Sequence, residues 1–108
     1  MRTFETGATR DTAEGKLMFE GFLSPRVLRR YAEYMNLHRK QADGNLRAPD
    51  NWQKGIPMPA YMDSLIRHVF ELWYGWREWG GVDQELLCAI LFNTMGALFE
   101  VTRPKEGE

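Results

Sequence analysis

The feature that most constrains this fold is an apolar stretch near the end of the chain, LLCAILFNTMGALFEV, at residues 86–101. It predicts a helix over 83–101 that begins at Asp83 as N-cap, with Glu85 complementing the helix dipole in the first turn. A helix that is apolar nearly all round must be buried on several sides. Two further helices and a small arm can hardly cover it, so we expect a homo-oligomer whose interface uses this helix.

Two helices are predicted before this stretch. Ser24 and Pro25 are typical of the N-cap and first position of a helix, and apolar residues at helical spacing continue to about residue 41. A second helix runs over 59–79, until two glycines break it. Its predicted buried stripe consists of Met62, Leu65, Ile66, Val69, Trp73 and Trp76. We therefore expect an all-α fold, a compact bundle of three to four helices without a sheet of consequence.

The length of 108 residues predicts a single domain. Residues 1–23 are interpreted as an irregular polar N-terminal arm, residues 24–101 as a helical ligand-binding domain and residues 102–108 as a disordered tail. Residues 42–57 form a long loop between the first two helices. Loops of this length within a domain are uncommon and often functional.

Charge and composition exclude some classes of function. The net charge of −1 argues against a general binder of DNA or RNA. Residues 1–54 carry ten Lys or Arg and seven Asp or Glu, a net +3, whereas residues 55–108 carry four and eight, a net −4. This asymmetry suits an anionic ligand with a metal or a head-to-tail subunit contact, or it is an accidental imbalance on a solvated surface.

Membrane insertion and secretion are not expected. No stretch approaches the ~20 apolar residues that span a bilayer, and the polar start lacks the apolar run of a secretory signal. The single cysteine, Cys88, excludes an internal disulfide. We expect a cytoplasmic protein.

Two segments before the second helix could bind an anion. In the arm, Arg10 and Lys16 stand near glycines that let the backbone approach a phosphate, although taken alone this signal is weak and a flexible terminus explains it better. In the long loop, Trp52 could stack on a base while Asn51 and Lys54 bind base and phosphate. Alternatively, Trp52 folds back over the core.

The second helix carries a polar set at helical spacing, namely Ser64, Arg67, His68 and Glu71. Arg67 could grip a phosphate in a bidentate manner, and His68 could donate a hydrogen bond or act as a base. The alternative is a solvated face with an Arg67–Glu71 pair.

The third helix adds candidate metal ligands. Glu71, Asp83 and Glu85 could hold Mg²⁺, which prefers oxygen ligands, although helix capping explains the last two without a metal. Asn93 is an amide within an apolar helix and must be hydrogen-bonded. It could bind a ligand, orient a side chain of the second helix, or pair across a symmetric interface.

These pieces together resemble a family of small phage proteins, the N-terminal domain of dATP/dGTP diphosphohydrolases. The resemblance covers roughly residues 4–100. It rests on Arg10-Asp11, Gly15-Lys16, Phe22 to Pro25, Asn51-Trp52-Gln53-Lys54-Gly55, Tyr61, Ser64, Arg67-His68, Gly75 and Asn93. The family is similar to the MazG-type all-α pyrophosphohydrolases, which use Mg²⁺ on helix-borne carboxylates to cleave between the α- and β-phosphates.

The resemblance implies a role for each candidate residue. Arg10, Lys16, Lys54 and Arg67 would hold phosphates, and Trp52 would stack on a purine base. Asn51, Ser64 and Asn93 complete the implied nucleotide-binding set. His68 and Glu71 would be catalytic, and Glu71, Asp83 and Glu85 would bind Mg²⁺ and activate water.

The chain departs from the family pattern around the metal ligands. Gly75 is followed by Trp76 rather than Glu, residues 86–89 lack a histidine-containing run, and no E-E-x-x-E motif occurs. Three functions stay open. The first is a phage protein that binds purine deoxynucleotides and hydrolyses them with Mg²⁺. The second is a non-catalytic protein that sequesters a nucleotide and thereby counters host nucleotide signalling. The third is a helical oligomerisation module.

Overall fold

Helices form most of the chain in the computed structural model, which describes residues 1–12 and 14–105. The elements, in order, are β1 (Arg2–Thr3), β2 (Thr9–Arg10), α1 (Phe19–Phe22), α2 (Pro25–Leu37), a 3₁₀ turn (Asn51–Lys54), α3 (Met58–Trp79) and α4 (Gln84–Val101). The two strands pair antiparallel as a minimal hairpin. The predicted all-α character is therefore confirmed. Residues 106–108 of the predicted tail lie outside the described part of the chain.

The predicted starts of α2 and α4 are confirmed, because short-range polar contacts define them. The Ser24 hydroxyl accepts a hydrogen bond from the Val27 amide at 3.2 Å at the start of α2. The Asp83 carboxylate accepts hydrogen bonds from the amides of Glu85 and Leu86, at 2.8 and 3.4 Å, at the start of α4. At the end of α3, Gly80 has a φ of +76°, the left-handed conformation that favours glycine at a helix C-terminus.

Helix α2 ends at Leu37, four residues before the predicted end. The chain reverses direction there, and an antiparallel bridge joins Lys40 to Leu46. A turn at 43–45 makes this reversal possible: the Asp43 carboxylate accepts the Asn45 amide at 2.9 Å, and Gly44 has a φ of +87°. These pairings replace the hydrogen bonds that would have continued the helix.

Helix α4 is the centre of the fold. Helix α3 packs along it, and α2 and the 3₁₀ turn contact it elsewhere, whereas α2 and α3 do not contact each other in the described part of the chain. The buried residues of the core are Tyr61, Cys88, Ala89, Asn93 and Gly96. The ring of Tyr61 lies directly against Gly96, where any side chain would meet it. The small residue thus lets α3 approach α4 closely.

The predicted buried stripe of α3 is largely wrong. Ile66, Val69, Trp73 and Trp76 are exposed in the single chain. The face that packs towards α4 instead contains buried or half-buried residues at helical spacing, namely Tyr61, Ser64, Leu65, His68, Leu72 and Gly75. The helix is rotated because the Tyr61–Gly96 contact and a hydrogen bond from Asn93 to Ser64 join this other face to α4.

The chain is more extended than the compact bundle expected from the sequence. Its radius of gyration is 19.3 Å, whereas about 13 Å is usual for a chain of this length. Part of the difference comes from the N-terminal arm, since neither the β1–β2 hairpin nor α1 packs against another helix in the described residues. The rest reflects the open arrangement of α2 and α3 around α4.

One helix among the described residues, α4, is long and apolar enough to cross a membrane by length and composition. Its 18 residues have a mean hydropathy of 1.2, so the expectation that no stretch approaches this length is corrected. A mostly buried core helix passes the same test, whereas 22% of α4 is buried in the single chain, where α2 and α3 both contact it.

Candidate functional site

A pocket of about 370 Å³ opens between the last turn of α2 and the segment that precedes α3. Its volume lies within the range of about 300–1,000 Å³ that is common for small-molecule sites. The side chains important for its chemistry are Tyr34, His38, Arg47, Asn51, Trp52 and Phe92. The pocket thus combines three aromatic rings with an imidazole, a guanidinium and an amide.

The 3₁₀ turn forms one wall of the pocket and is fixed to the end of α4. Arg103 donates a hydrogen bond to the Gln53 carbonyl at 3.0 Å and pairs with the Glu100 carboxylate at 3.0 Å. Its guanidinium also lies 5.0 Å from the centre of the Phe99 ring. The hydrogen bonds from Arg103 hold the pKa of Glu100 below its usual value. This cluster anchors the wall to α4.

Trp52 is half-buried and packs edge-on against α4. Its ring centre lies 4.9 Å from that of Phe99 and 6.4 Å from that of Phe92. The alternative in which Trp52 folds back over the core therefore describes part of its role. The same side chain also lines the pocket, so its remaining surface is available to a ligand.

Arg47 supplies a positive charge that no acidic side chain in the described residues neutralises. One of its guanidinium nitrogens donates to the His38 carbonyl at 3.2 Å, and its own carbonyl accepts a hydrogen bond from Arg39 at 2.8 Å. The Arg39 guanidinium also lacks an acidic partner in this part of the chain and contacts only Asn36 and the Arg47 carbonyl. Two guanidinium groups thus lie where α2 ends.

On the opposite wall of the pocket, His38 contacts Glu85 at the start of α4. The His38 imidazole nitrogen Nε2 lies 3.5 Å from a Glu85 carboxylate oxygen, whose second oxygen lies 3.4 Å from Arg30. The His38 ring also packs against the Tyr34 ring, with a centre-to-centre distance of 4.2 Å and the two planes tilted by 38°. Burial, and next the negative charge of Glu85, raise the pKa of the Tyr34 hydroxyl. That hydroxyl is therefore a hydrogen-bond donor at neutral pH.

Of the predicted nucleotide-binding residues, the structure brings Asn51 and Trp52 together in this pocket. Ser64 and Asn93 also meet, but they form a bridge between α3 and α4: the Asn93 amide donates to the Ser64 hydroxyl at 3.3 Å and to the Ala89 carbonyl at 2.9 Å. Asn93 thus orients a side chain of α3, one of the three roles expected for it.

The four predicted phosphate-binding cations do not converge. Arg10 lies in the hairpin, which packs against no helix in the described residues, and Lys16 is exposed between the hairpin and α1. Lys54 is exposed at the end of the 3₁₀ turn, and Arg67 is exposed on α3.

The predicted catalytic and metal-binding residues do not form one site. His68 is half-buried, and its Nδ1 atom lies 3.8 Å from the exposed carboxylate of Glu71. Asp83 caps α4, and Glu85 pairs with Arg30 and His38. Within residues 1–12 and 14–105, no group of three His, Cys, Asp or Glu could hold a metal ion. The three carboxylates that the resemblance assigns to Mg²⁺ therefore do not form a cluster of this kind among the described residues.

Four of the six named pocket residues were not predicted from the sequence, namely Tyr34, His38, Arg47 and Phe92. A usable signal existed, because Arg47 lies in the long loop and His38 lies near the predicted end of the helix. The reversal at 43–45 that brings them together was not predicted.

The chain is thus a small, mostly helical protein with a pocket in which aromatic rings lie beside a guanidinium group. Comparison with known protein families, curated proteins and solved structures gives no match. The resemblance to dATP/dGTP diphosphohydrolases therefore rests on the residues named from the sequence.

Proposed function

We propose that this protein binds a purine nucleotide, or a related phosphorylated small molecule, in the pocket between α2 and the 3₁₀ turn. The observation that carries the proposal is the position of the Arg47 guanidinium, without an acidic partner in the described chain, in one pocket with Trp52 and Tyr34. A nucleotide contains a flat base and an anionic phosphate, and the pocket offers a partner for each.

The side chains of the pocket suit such a ligand in different ways. A guanidinium binds phosphate through two parallel N–H···O bonds, which an ammonium group cannot do. Exposed aromatic surface on Trp52 or Tyr34 stacks with a base, since every base has a π-face. The Asn51 amide carries both donors and acceptors and can therefore read the edge of a base.

Binding without cleavage is the form of this function that the side chains support best. The carboxylates of Asp83 and Glu85, which the family resemblance assigns to Mg²⁺, already have protein partners. The sequence also departs from the family in the same region. In a phage, a protein that sequesters a nucleotide would counter host nucleotide signalling. Mg²⁺-dependent hydrolysis is the competing activity that the experiment must test.

The test compares two exposed arginines, one in the pocket and one outside it. Calorimetry with dATP, dGTP and other purine nucleotides should show that Arg47→Ala weakens binding by about 1.5–3 kcal/mol, the scale of hydrogen bonds to a charged group. This loss corresponds to a roughly 10- to 150-fold higher dissociation constant. Arg67→Ala, which removes the arginine chosen from the sequence, should bind as the parent does.

Two further readouts separate the possible outcomes. Circular dichroism should show equal helicity for both variants, because Ala is the better helix former and Arg47 lies outside the helices. Mass spectrometry after incubation with Mg²⁺ should recover the nucleotide intact, whereas release of pyrophosphate would establish hydrolysis instead. Loss of binding in Arg67→Ala but not in Arg47→Ala would move the site to α3, and no binding by the parent would overturn the proposal.

A further inference from the structure

The outward face of α3 carries an apolar seam, formed by Met62, Ile66, Val69, Trp73 and Trp76. These positions alternate at spacings of four and three residues, as in helices that pair along their length. Ile66 is 68% exposed and Trp73 is 57% exposed. A shallow apolar groove of about 330 Å³ continues the seam at Trp76 and Val82. Four of the five side chains of the seam are exposed in the single chain, and Met62 is half-buried.

The surface area of the single chain points to a large partner. The accessible surface is 9122 Å², whereas about 6,200 Å² is expected for a folded monomer of 12.6 kDa. The excess includes the surface of the N-terminal arm; an obligate interface that buries about 2,000–5,000 Å² in total would remove about 1,000–2,500 Å² from each chain. Contiguous apolar patches of this kind are rare on monomeric proteins.

We propose that a second copy of this chain packs antiparallel against the seam, with a two-fold axis near Phe70. A two-fold interface uses the same patch on both copies, so one self-complementary face is sufficient. Phe70 borders the seam and is itself 55% exposed. Its ring packs edge-on against Trp73 with the ring centres 6.0 Å apart, which extends the apolar surface across the axis.

Charge complementarity selects the antiparallel orientation. Asp63 and Arg77 lie seven residues before and seven residues after Phe70, and therefore on the same edge of the helix. Neither forms an ion pair within the described chain. Around an axis near Phe70, Asp63 of one copy lies opposite Arg77 of the other, and this pairing occurs twice. A parallel arrangement would instead set like charges at the same level of the two helices.

This proposal also explains why the seam is apolar although it does not face α4. The sequence predicted these residues to be buried, and in the single chain the neighbouring face of α3 packs on α4 instead. A second copy buries the seam without changing that packing. The sequence predicted a subunit interface on α4, and this proposal places it on α3 instead.

The experiment compares two exposed aliphatic residues in helices of the full chain, Ile66 on the seam and Leu98 on α4. They are 68% and 61% exposed, so each tolerates a charge equally well in the single chain. Sedimentation at micromolar concentration should report a dimer for the parent and for Leu98→Glu. Ile66→Glu should raise the dimer dissociation constant about 30-fold or more, the effect of losing a central interface side chain. Helicity measured in parallel identifies any variant that fails to fold.

Charge reversal tests the orientation. Asp63→Arg alone and Arg77→Asp alone should each weaken the dimer, because each places like charges opposite each other, and the double reversal should restore it. A monomeric parent would overturn the proposal, as would dissociation by Leu98→Glu but not by Ile66→Glu. Failure of the double reversal to restore the dimer would refute the antiparallel axis, and binding of the parent to phosphatidylcholine vesicles as a monomer would show a different occupant.

Discussion

The contact between Gly96 and Tyr61 gives the sharpest test of how α3 packs on α4, through a pair of identical substitutions. Gly96 lies within α4, and a Cβ atom built there would overlap the ring of Tyr61, which is 1% exposed. Gly75 lies within α3, and a Cβ atom there meets no other atom within 4 Å. Changing either glycine to alanine raises the helix propensity by the same amount, but only Gly96→Ala creates an overlap.

The two substitutions should change the free energy of unfolding in opposite directions. Gly75→Ala should increase the free energy of unfolding by about 0.5–1 kcal/mol, because alanine restricts the unfolded chain and favours the helix. Gly96→Ala gains the same amount, but it forces a rigid, fully buried ring to move, and overpacking of a core costs about 1–3 kcal/mol. With the upper end of that range, the net effect is a loss of about 2 kcal/mol.

Urea unfolding followed by circular dichroism, at one fixed protein concentration, measures both effects. Repeating Gly96→Ala in a Tyr61→Leu background should remove most of the loss, because the smaller side chain leaves room for the new methyl group. If Gly96→Ala stabilises the protein as much as Gly75→Ala does, then α3 does not approach α4 at this point, and the observed rotation of α3 is wrong.

Two further predictions concern α2 and α4. Burial raises the pKa of Tyr31 in the folded chain to about 12. The stability that the protonated hydroxyl contributes is therefore complete below pH 10 and is lost between pH 10 and pH 12. The free energy of unfolding measured over this range should depend less on pH for Tyr31→Phe than for the parent. Asp83→Ala should lower the free energy of unfolding by about 1 kcal/mol through loss of the α4 N-cap, whereas Asp83→Asn should retain it; equal losses in the two variants would contradict the capping role.

The helix starts could be predicted from the sequence because their signals are local. Ser24 and Asp83 accept hydrogen bonds from amides within one turn, Pro25 has a fixed φ that suits the first helical position, and Gly80 ends α3 through its own backbone conformation. The end of α2 could not be predicted in the same way. It depends on the pairing of Lys40 with Leu46, which competes with the helix only after the turn between them has formed.

The orientation of α3 could not be predicted because two of its faces are suitable for burial. Hydrophobicity favoured the seam with Ile66 and Trp73, but Gly96 offers space only to a ring placed as Tyr61 is. Shape at one contact therefore outweighed the apolar pattern of the whole helix. A local contact also decides the role of Asn93, because its amide donates hydrogen bonds to Ser64 and Ala89 rather than to a ligand.

The candidate pocket and the seam lie on different parts of the fold, so the two proposals can be tested independently. Every lining residue of the pocket belongs to α2, α4 or the segment between α2 and α3, and none belongs to α3 itself. Arg47→Ala should therefore weaken nucleotide binding in a chain that still dimerises. Ile66→Glu should dissociate the dimer while each copy retains its affinity for the nucleotide. If Ile66→Glu also abolished binding, the ligand site would require both copies, and the pocket of the single chain would be incomplete.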